Sequence, residues 1–240
     1  MRRRQEKKKR RFGKWIVVLL FLIVCVNWAN GRIPRLFSQL PVSGLTNLLA
    51  VHQTATDKHG WNLILVNREN YIPENYTVEL TELANGQEVD SRIYPALQEM
   101  LDAARAQGLH LFVADGYRTQ ETQQRILDEK IEAYKKEGYS DSEAEKKAKE
   151  WVAVPGTSEH QLGLAVDINA DTAYSTSDAV YQWLAQNAHL YGFINRYPAD
   201  KTEITGTIYE PWHYRYVGKE AAQEIYSQGL CLEEYIERLG

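Results

Sequence analysis

Ser158-Glu159-His160-Gln161-Leu162-Gly163-Leu164-Ala165-Val166-Asp167 is the stretch that decides the reading of this chain. Its second half alternates. Leu164, Val166 and Ile168 fall on one face of a strand, and Ala165, Asp167 and Asn169 fall on the other. The apolar face belongs to a core. Asp167 then points away from that core, beside a small residue that leaves room. His160 sits just before the strand, across Gly163, which permits a tight bend. A turn followed by a strand can therefore bring a histidine and an aspartate together as two ligands of one metal. Zinc accepts both donor types, commonly from three protein ligands at catalytic sites.

A second segment, Glu210-Pro211-Trp212-His213-Tyr214-Arg215-Tyr216, supplies what the first lacks. His213 is the candidate third ligand. Glu210 lies beyond a proline that forbids a regular interior, so it can turn towards the same site. A carboxylate beside an activated water can take its proton and later return it to a leaving amine. Each segment alone is weak evidence; a lone histidine is more often a surface or core residue, and His52, His59, His110 and His189 are read that way.

Outward from these segments, helices and strands mix without a strict alternating rhythm, which predicts an α+β fold. Leu63–Val66 is read as a short strand and Tyr71–Tyr76 as loop. Leu97, Met100, Leu101 and Ala104 recur at helical spacing, so Pro95–Gln107 is a helix stopped by Gly108. His110–Ala114 is a strand and Thr119–Ala133 a helix. Ser140 and Glu143 form a capping box for a helix running to about Trp151. The charged stretch Glu121–Glu150 is expected to be a solvated lid or surface helix pair. Leu164–Ile168 and Trp212–Val217 are strands; Asp178–His189, Lys219–Gln228 and Leu232–Leu239 are helices.

The chain of 240 residues is 44% apolar and 25% charged, ordinary values for a globular protein. Its net charge of -4 hides an asymmetry. Nine of the 28 basic residues and one of the 32 acids fall in the first 14 positions, leaving 19 and 31 for the rest, so a head of +8 precedes a body of -12. An acidic body argues against nucleic acid as a partner, which would need positive charge on the folded face. The head runs into the uncharged stretch Trp15–Val26, WIVVLLFLIVCV. Positive charge followed by an apolar run is the pattern of a signal anchor or signal peptide. No clean small-residue cleavage site follows. The expectation is a basic cytoplasmic head (1–14), a transmembrane signal anchor (15–29), a linker (30–60) and a folded domain (61–240) outside a cell membrane. Cleavage and secretion are the alternative. Cys25 lies in the apolar run and Cys231 far from it, so no disulfide is expected.

Together, S-x-H-x-x-G-x-A-x-D and E-P-W-H-Y-R-Y-V-G resemble the VanY-type zinc D-alanyl-D-alanine carboxypeptidases. The resemblance extends to Gly116-Tyr117-Arg118-Thr119 with Gln123, and to Gly192-Phe193-Ile194, Arg196-Tyr197-Pro198 and Ile204-Thr205-Gly206. It spans roughly Leu63 to Gly229. Family members often carry serine where Thr119 stands. The resemblance implies a small antiparallel sheet with flanking helices and one zinc ion per chain. His160, Asp167 and His213 would bind the metal, and Glu210 would be the general base and acid. Arg118 would sit beside the substrate carbonyl or terminal carboxylate, while Gln123 and Ser158 would hold the substrate. The implied partner is a peptidoglycan stem peptide ending in D-Ala-D-Ala. Alternatives of the same fold are an L,D-carboxypeptidase acting on the tetrapeptide and a D,D-dipeptidase. A wall-peptide binding protein without activity is the alternative from another class.

Overall fold

Sheet and helix periods meet in one core, and the site lies on the sheet face turned away from it. The computed structural model describes residues 53–240. Two short strands, β1 (Gln53–Thr54) and β2 (Asn70–Tyr71), pair in parallel. A hairpin of β3 (Leu80–Glu82) and β4 (Glu88–Asp90) leads to helix α1 (Tyr94–Ala106). Then come β5 (Leu111–Asp115), α2 (Gln120–Lys136), α3 (Asp141–Ala148), β6 (Ala165–Ala170), α4 (Ser177–Asn187) and β7 (Phe193–Asn195). The chain continues through α5 (Thr202–Thr205), β8 (His213–Tyr216), α6 (Lys219–Gln228) and α7 (Leu232–Leu239).

Strands β5, β6, β8 and β7 form a four-stranded sheet in that order, antiparallel throughout. Val166 pairs with Tyr214 and Val113 with Ile168. These residues are buried with Leu97, Met100, Leu101 and Ala104 of α1, and with Val180, Trp183 and Leu184 of α4. The helical spacing read along α1 is thus the spacing of its buried side chains. The opposite parity of the same strands carries Asp167 and its direct partner His213. A register shift between Val113 and Asp115 changes the parity of β5, so that Asp115 lies opposite Asp167. Such a bulge re-aims a side chain at a sheet edge. A second apolar cluster joins Ile194 and Val217 to Ala221, Ala222 and Ile225 of α6 and to Leu232 and Tyr235 of α7.

The α+β reading, the antiparallel sheet and the main helices agree with this architecture, and the capping box between Ser140 and Glu143 forms as read. Leu63–Val66 departs from expectation. Trp61–Leu63 is a turn of 3-10 helix and the residues after it pair with no strand. The reason is visible: Arg215 Nη2 donates to the carbonyls of Asn62 and Ile64, at 3.1 and 2.9 Å, so a buried side chain takes the acceptors that a neighbouring strand would use. Strand β2 begins the segment read as loop, and β1 lies within the segment read as linker. The short strands β3, β4 and β7 had no reading as strands. Cys231 is buried and unpaired. The expected basic head and anchor lie outside the described residues. Among the described residues no helix is long and apolar enough to cross a membrane.

Candidate metal centre and active site

His160 sits in a 3-10 turn, Glu159–Leu162, that closes on Gly163 at φ 72°. A Cβ at Gly163 would stand 2.9 Å from the backbone nitrogen of Asp90, so both conformation and space favour glycine there. The turn delivers the chain into β6 and carries His160 to Asp167. His160 Nδ1 lies 2.7 Å from the carbonyl oxygen of Gly116. A carbonyl only accepts, so Nδ1 carries the proton and Nε2 presents its lone pair. That Nε2 is 3.4 Å from Asp167 Oδ1. His213 Nδ1 is 3.0 Å from the same oxygen. One ligand atom from each of the three residues lies within 4.8 Å of the others.

This donor set fits zinc. It offers two imidazole nitrogens and one carboxylate oxygen, and the two distances to Asp167, 3.4 and 3.0 Å, are separations that a single ion with bonds of about 2.0–2.2 Å can span. Both histidines are buried, 2% and 5% exposed. The electrostatics point the same way. Burial lowers the His213 pKa, but the hydrogen bond to Asp167 and the facing Glu159 and Glu210 push it up to about 9. The carboxylates around the ring, Asp167 and Glu210 at Nδ1 and Glu159 at Nε2, thus stabilise positive charge where a divalent ion would supply it. His160 is lowered, by burial first and by Arg118, which suits a neutral ligand.

Glu210 Oε2 stands 3.7 Å from His213 Nδ1. Its backbone is pinned, with Asn195 Nδ2 donating to its carbonyl at 2.8 Å. Burial raises its carboxyl to about 7; His213 and Arg118 oppose the rise and Asp167 adds to it. A carboxyl poised there can take and return a proton near neutrality. Arg118 is held on three sides. Nε donates to Asp115 Oδ2 at 3.1 Å, Nη1 to Gln123 Oε1 at 3.2 Å and Nη2 to Asp167 Oδ2 at 3.2 Å. Gln123 is fully buried and also donates to the carbonyl of Ala153 at 2.7 Å. Ser158 precedes the 3-10 turn, and its side chain caps nothing there.

All seven residues singled out from the sequence line one cavity of about 210 Å³. Lys130 and Ile126 of α2 line it too, with Trp151 from the segment after α3, so the charged helix α2 forms a wall of the site as well as a surface. His189 stacks on Tyr226, His110 meets Tyr174 at a tilt, and both stand outside it.

Sequence reasoning missed the layer beneath. Glu159, Arg196 and Arg215 are at most 1% exposed. Arg196 Nε donates to Glu159 Oε1 at 2.8 Å, and its two terminal nitrogens grip both oxygens of Glu233 at 2.8 and 2.7 Å. Arg215 Nη1 lies 2.8 Å from the same Glu159 oxygen. Burial would raise the Glu159 carboxyl, but Arg196, Arg215 and His213 outweigh it and hold it well below the usual range. Strand parity in His213-Tyr214-Arg215 already put Arg215 on the face of His213; nothing local pointed to Glu233.

A family model described as VanY, D-alanyl-D-alanine carboxypeptidase, matches residues 86–219. A D-alanyl-D-alanine carboxypeptidase of Enterococcus faecalis is 51% identical over 97% of this chain and 92% of its own length. A solved structure of VanYB in complex with D-alanine-D-alanine is 63% identical, with a TM-score of 0.73 over 74% of this chain and 98% of that one. A second structure, a glutamate-to-alanine mutant of the vancomycin resistance D,D-pentapeptidase VanY in complex with Zn(II), shares the same identity and TM-score over 73% of this chain and 99% of that one.

Proposed function

The chain belongs to the VanY family of D-alanyl-D-alanine carboxypeptidases, and from that premise we propose how its residues divide the work of zinc-dependent hydrolysis of the terminal D-Ala-D-Ala bond of peptidoglycan stem peptides. The observation that carries the proposal is the cluster of His160, Asp167 and His213 with Glu210 at its edge.

His160 Nε2, Asp167 and His213 Nδ1 would hold the zinc. When bound, zinc supplies a Lewis acid that polarises the scissile carbonyl and lowers the pKa of water. Glu210 takes the proton of the attacking water on its carboxylate and returns it to the nitrogen of the departing D-alanine. Arg118 faces the carbonyl oxygen as charge develops there. Its guanidinium is fixed by Asp115, Gln123 and Asp167 before substrate arrives, so little reorganisation accompanies the reaction. Gln123 acts mainly by holding Arg118, since Oε1 and Nε2 are both engaged within the protein. The Ser158 hydroxyl, in the cavity wall, is the group left to contact the peptide.

The test is release of D-alanine by the purified full chain from two synthetic stem peptides, a pentapeptide ending in D-Ala-D-Ala and a tetrapeptide ending in one D-Ala. Chelator-sensitive release from the pentapeptide is expected. Release from the tetrapeptide alone would move the specificity to L,D.

The same proposal places the enzyme at a cell membrane, single-pass, with residues 1–14 inside, residues 15–29 as the anchor and the catalytic domain outside. The basic head followed by an uncharged apolar run supports it. Membrane fractions of cells making the full chain should retain it after a salt wash. Recovery in the medium at reduced mass would show cleavage and secretion instead.

A further inference from the structure

His213 and Glu159 each leave one buried atom without a hydrogen bond, and the two atoms face each other. His213 Nε2 and Glu159 Oε2 both lack a partner and stand 3.8 Å apart. A buried donor or acceptor left without a partner loses its hydration with nothing in return. Two such groups facing each other at this distance can compensate one another.

Glu159 is fixed so that only this oxygen is free. Its Oε1 is shared by Arg196 Nε and Arg215 Nη1, both at 2.8 Å. Arg196 is gripped from the far side by Glu233. Arg215 is gripped by the carbonyls of Tyr216, Asn62 and Ile64. The carboxylate cannot turn without breaking an arginine contact, and Oε2 stays aimed at the His213 ring.

We propose that Glu159 is the positioning residue of His213: by receiving the proton of Nε2 it keeps Nδ1 as the lone pair offered to the metal. The proposal rests on His213 being a metal ligand. The two histidines are then fixed by the same logic with opposite atoms, the Gly116 carbonyl holding the Nδ1 proton of His160 and Glu159 holding the Nε2 proton of His213. Outer partners of this kind commonly account for 10–100-fold in metal affinity. The competing role for Glu159 is charge balance for two arginines, which predicts no influence on the imidazole.

Replacement by glutamine separates the two. In E159Q the amide oxygen can still serve the arginines, which turns the NH2 group towards Nε2 and sets donor against donor. Zinc affinity by competition with a chromophoric chelator should fall by about 10–100-fold, with the circular dichroism spectrum of the apoprotein retained. Nitrogen-15 correlation spectra of the zinc-loaded proteins should show His213 bound through Nδ1 in both. The Nε2 proton should be far downfield and slow to exchange in the wild type, and shifted upfield in E159Q. Unchanged zinc affinity in a folded E159Q, with His213 bound through Nδ1, overturns the role of Glu159 alone. Metal on Nε2 of wild-type His213, or on neither nitrogen, overturns the ligand assignment beneath it. If E159Q does not fold, the wild-type signal decides: an Nε2 proton exchanging as fast as that of a free imidazole overturns the proposal.

Discussion

Glu210 and Arg118 make separable predictions because one moves a proton and the other only supplies charge. Glu210→Gln should keep its zinc, by elemental analysis, and lose on the order of 10²–10⁴ in turnover. A variant that releases D-alanine at near wild-type rate would remove Glu210 from the chemistry. Arg118→Ala should lower kcat/KM by about 2.7–4 kcal/mol, the scale of one oxyanion donor. An unchanged kcat/KM would place the developing charge elsewhere. These residues were legible because each sits in a short local pattern. His160 and Asp167 are joined by one turn and one strand, and Pro211 sets Glu210 off from the strand. The acids that hold Arg118 were not legible: they are Asp115 and Asp167, one aimed by a bulge and the other a candidate ligand, and no local pattern names either as its partner.

At the scale of elements, the metal site is a property of strand register. Asp167 and His213 are a direct cross-strand pair, so a slip of one residue would send one of them to the core face. The hairpin β3–β4 steadies the site from outside. Tyr117 N donates to the Glu88 carbonyl at 2.6 Å, and a Cβ on Gly116 would stand 2.2 Å from that same oxygen. Backbone meets backbone there, with no flexible side chain to yield. Gly116→Ala should therefore cost about 1–3 kcal/mol and weaken zinc binding, because the carbonyl that orients His160 belongs to residue 116. Thermal melting and chelator competition check the two effects, and no change in either would mean that the hairpin moves aside freely. Helices were readable because amphipathic spacing and caps are local: Ser140 caps α3 as its sequence suggests, and Thr119, read as the first residue of a helix, is the residue that caps α2. The hairpin and β7 are three-residue strands. They are too short for alternation to register and take their extended form from the partners they meet. Leu63–Val66 failed as a strand for the converse reason, since the Ile64 carbonyl, with that of Asn62 just before the segment, is taken by Arg215.

Across the described residues a buried ionic chain, Arg215–Glu159–Arg196–Glu233, runs from the sheet to α7. Burial raises both carboxyls, but the arginines outweigh it and leave Glu159 and Glu233 below their ordinary range. A carboxyl lowered in the folded state contributes stability above its unfolded pKa, about 4.3 for glutamate. That contribution is lost as pH falls through the folded value. Stability should thus hold at neutral pH and drop as the medium is acidified below about pH 4. Glu233→Ala should flatten that drop and lower stability at pH 7, about 3–5 kcal/mol being the usual loss when one partner of a buried pair is removed. Acid titrations followed by circular dichroism test both, and a variant as stable and as acid-sensitive as the wild type would show that the chain of ions is incidental. The reach of that network also has a meaning in time. Translation delivers Glu159, His160 and Asp167 together, His213 some 46 residues after Asp167, and Glu233 later still. A nascent chain paused between Asp167 and Arg196 holds two of the three ligands and, in Glu159, an acid with neither of its arginines. Zinc capture is then an event for the finished polypeptide, and a ribosome-stalled intermediate should hold the ion no better than an unfolded peptide does.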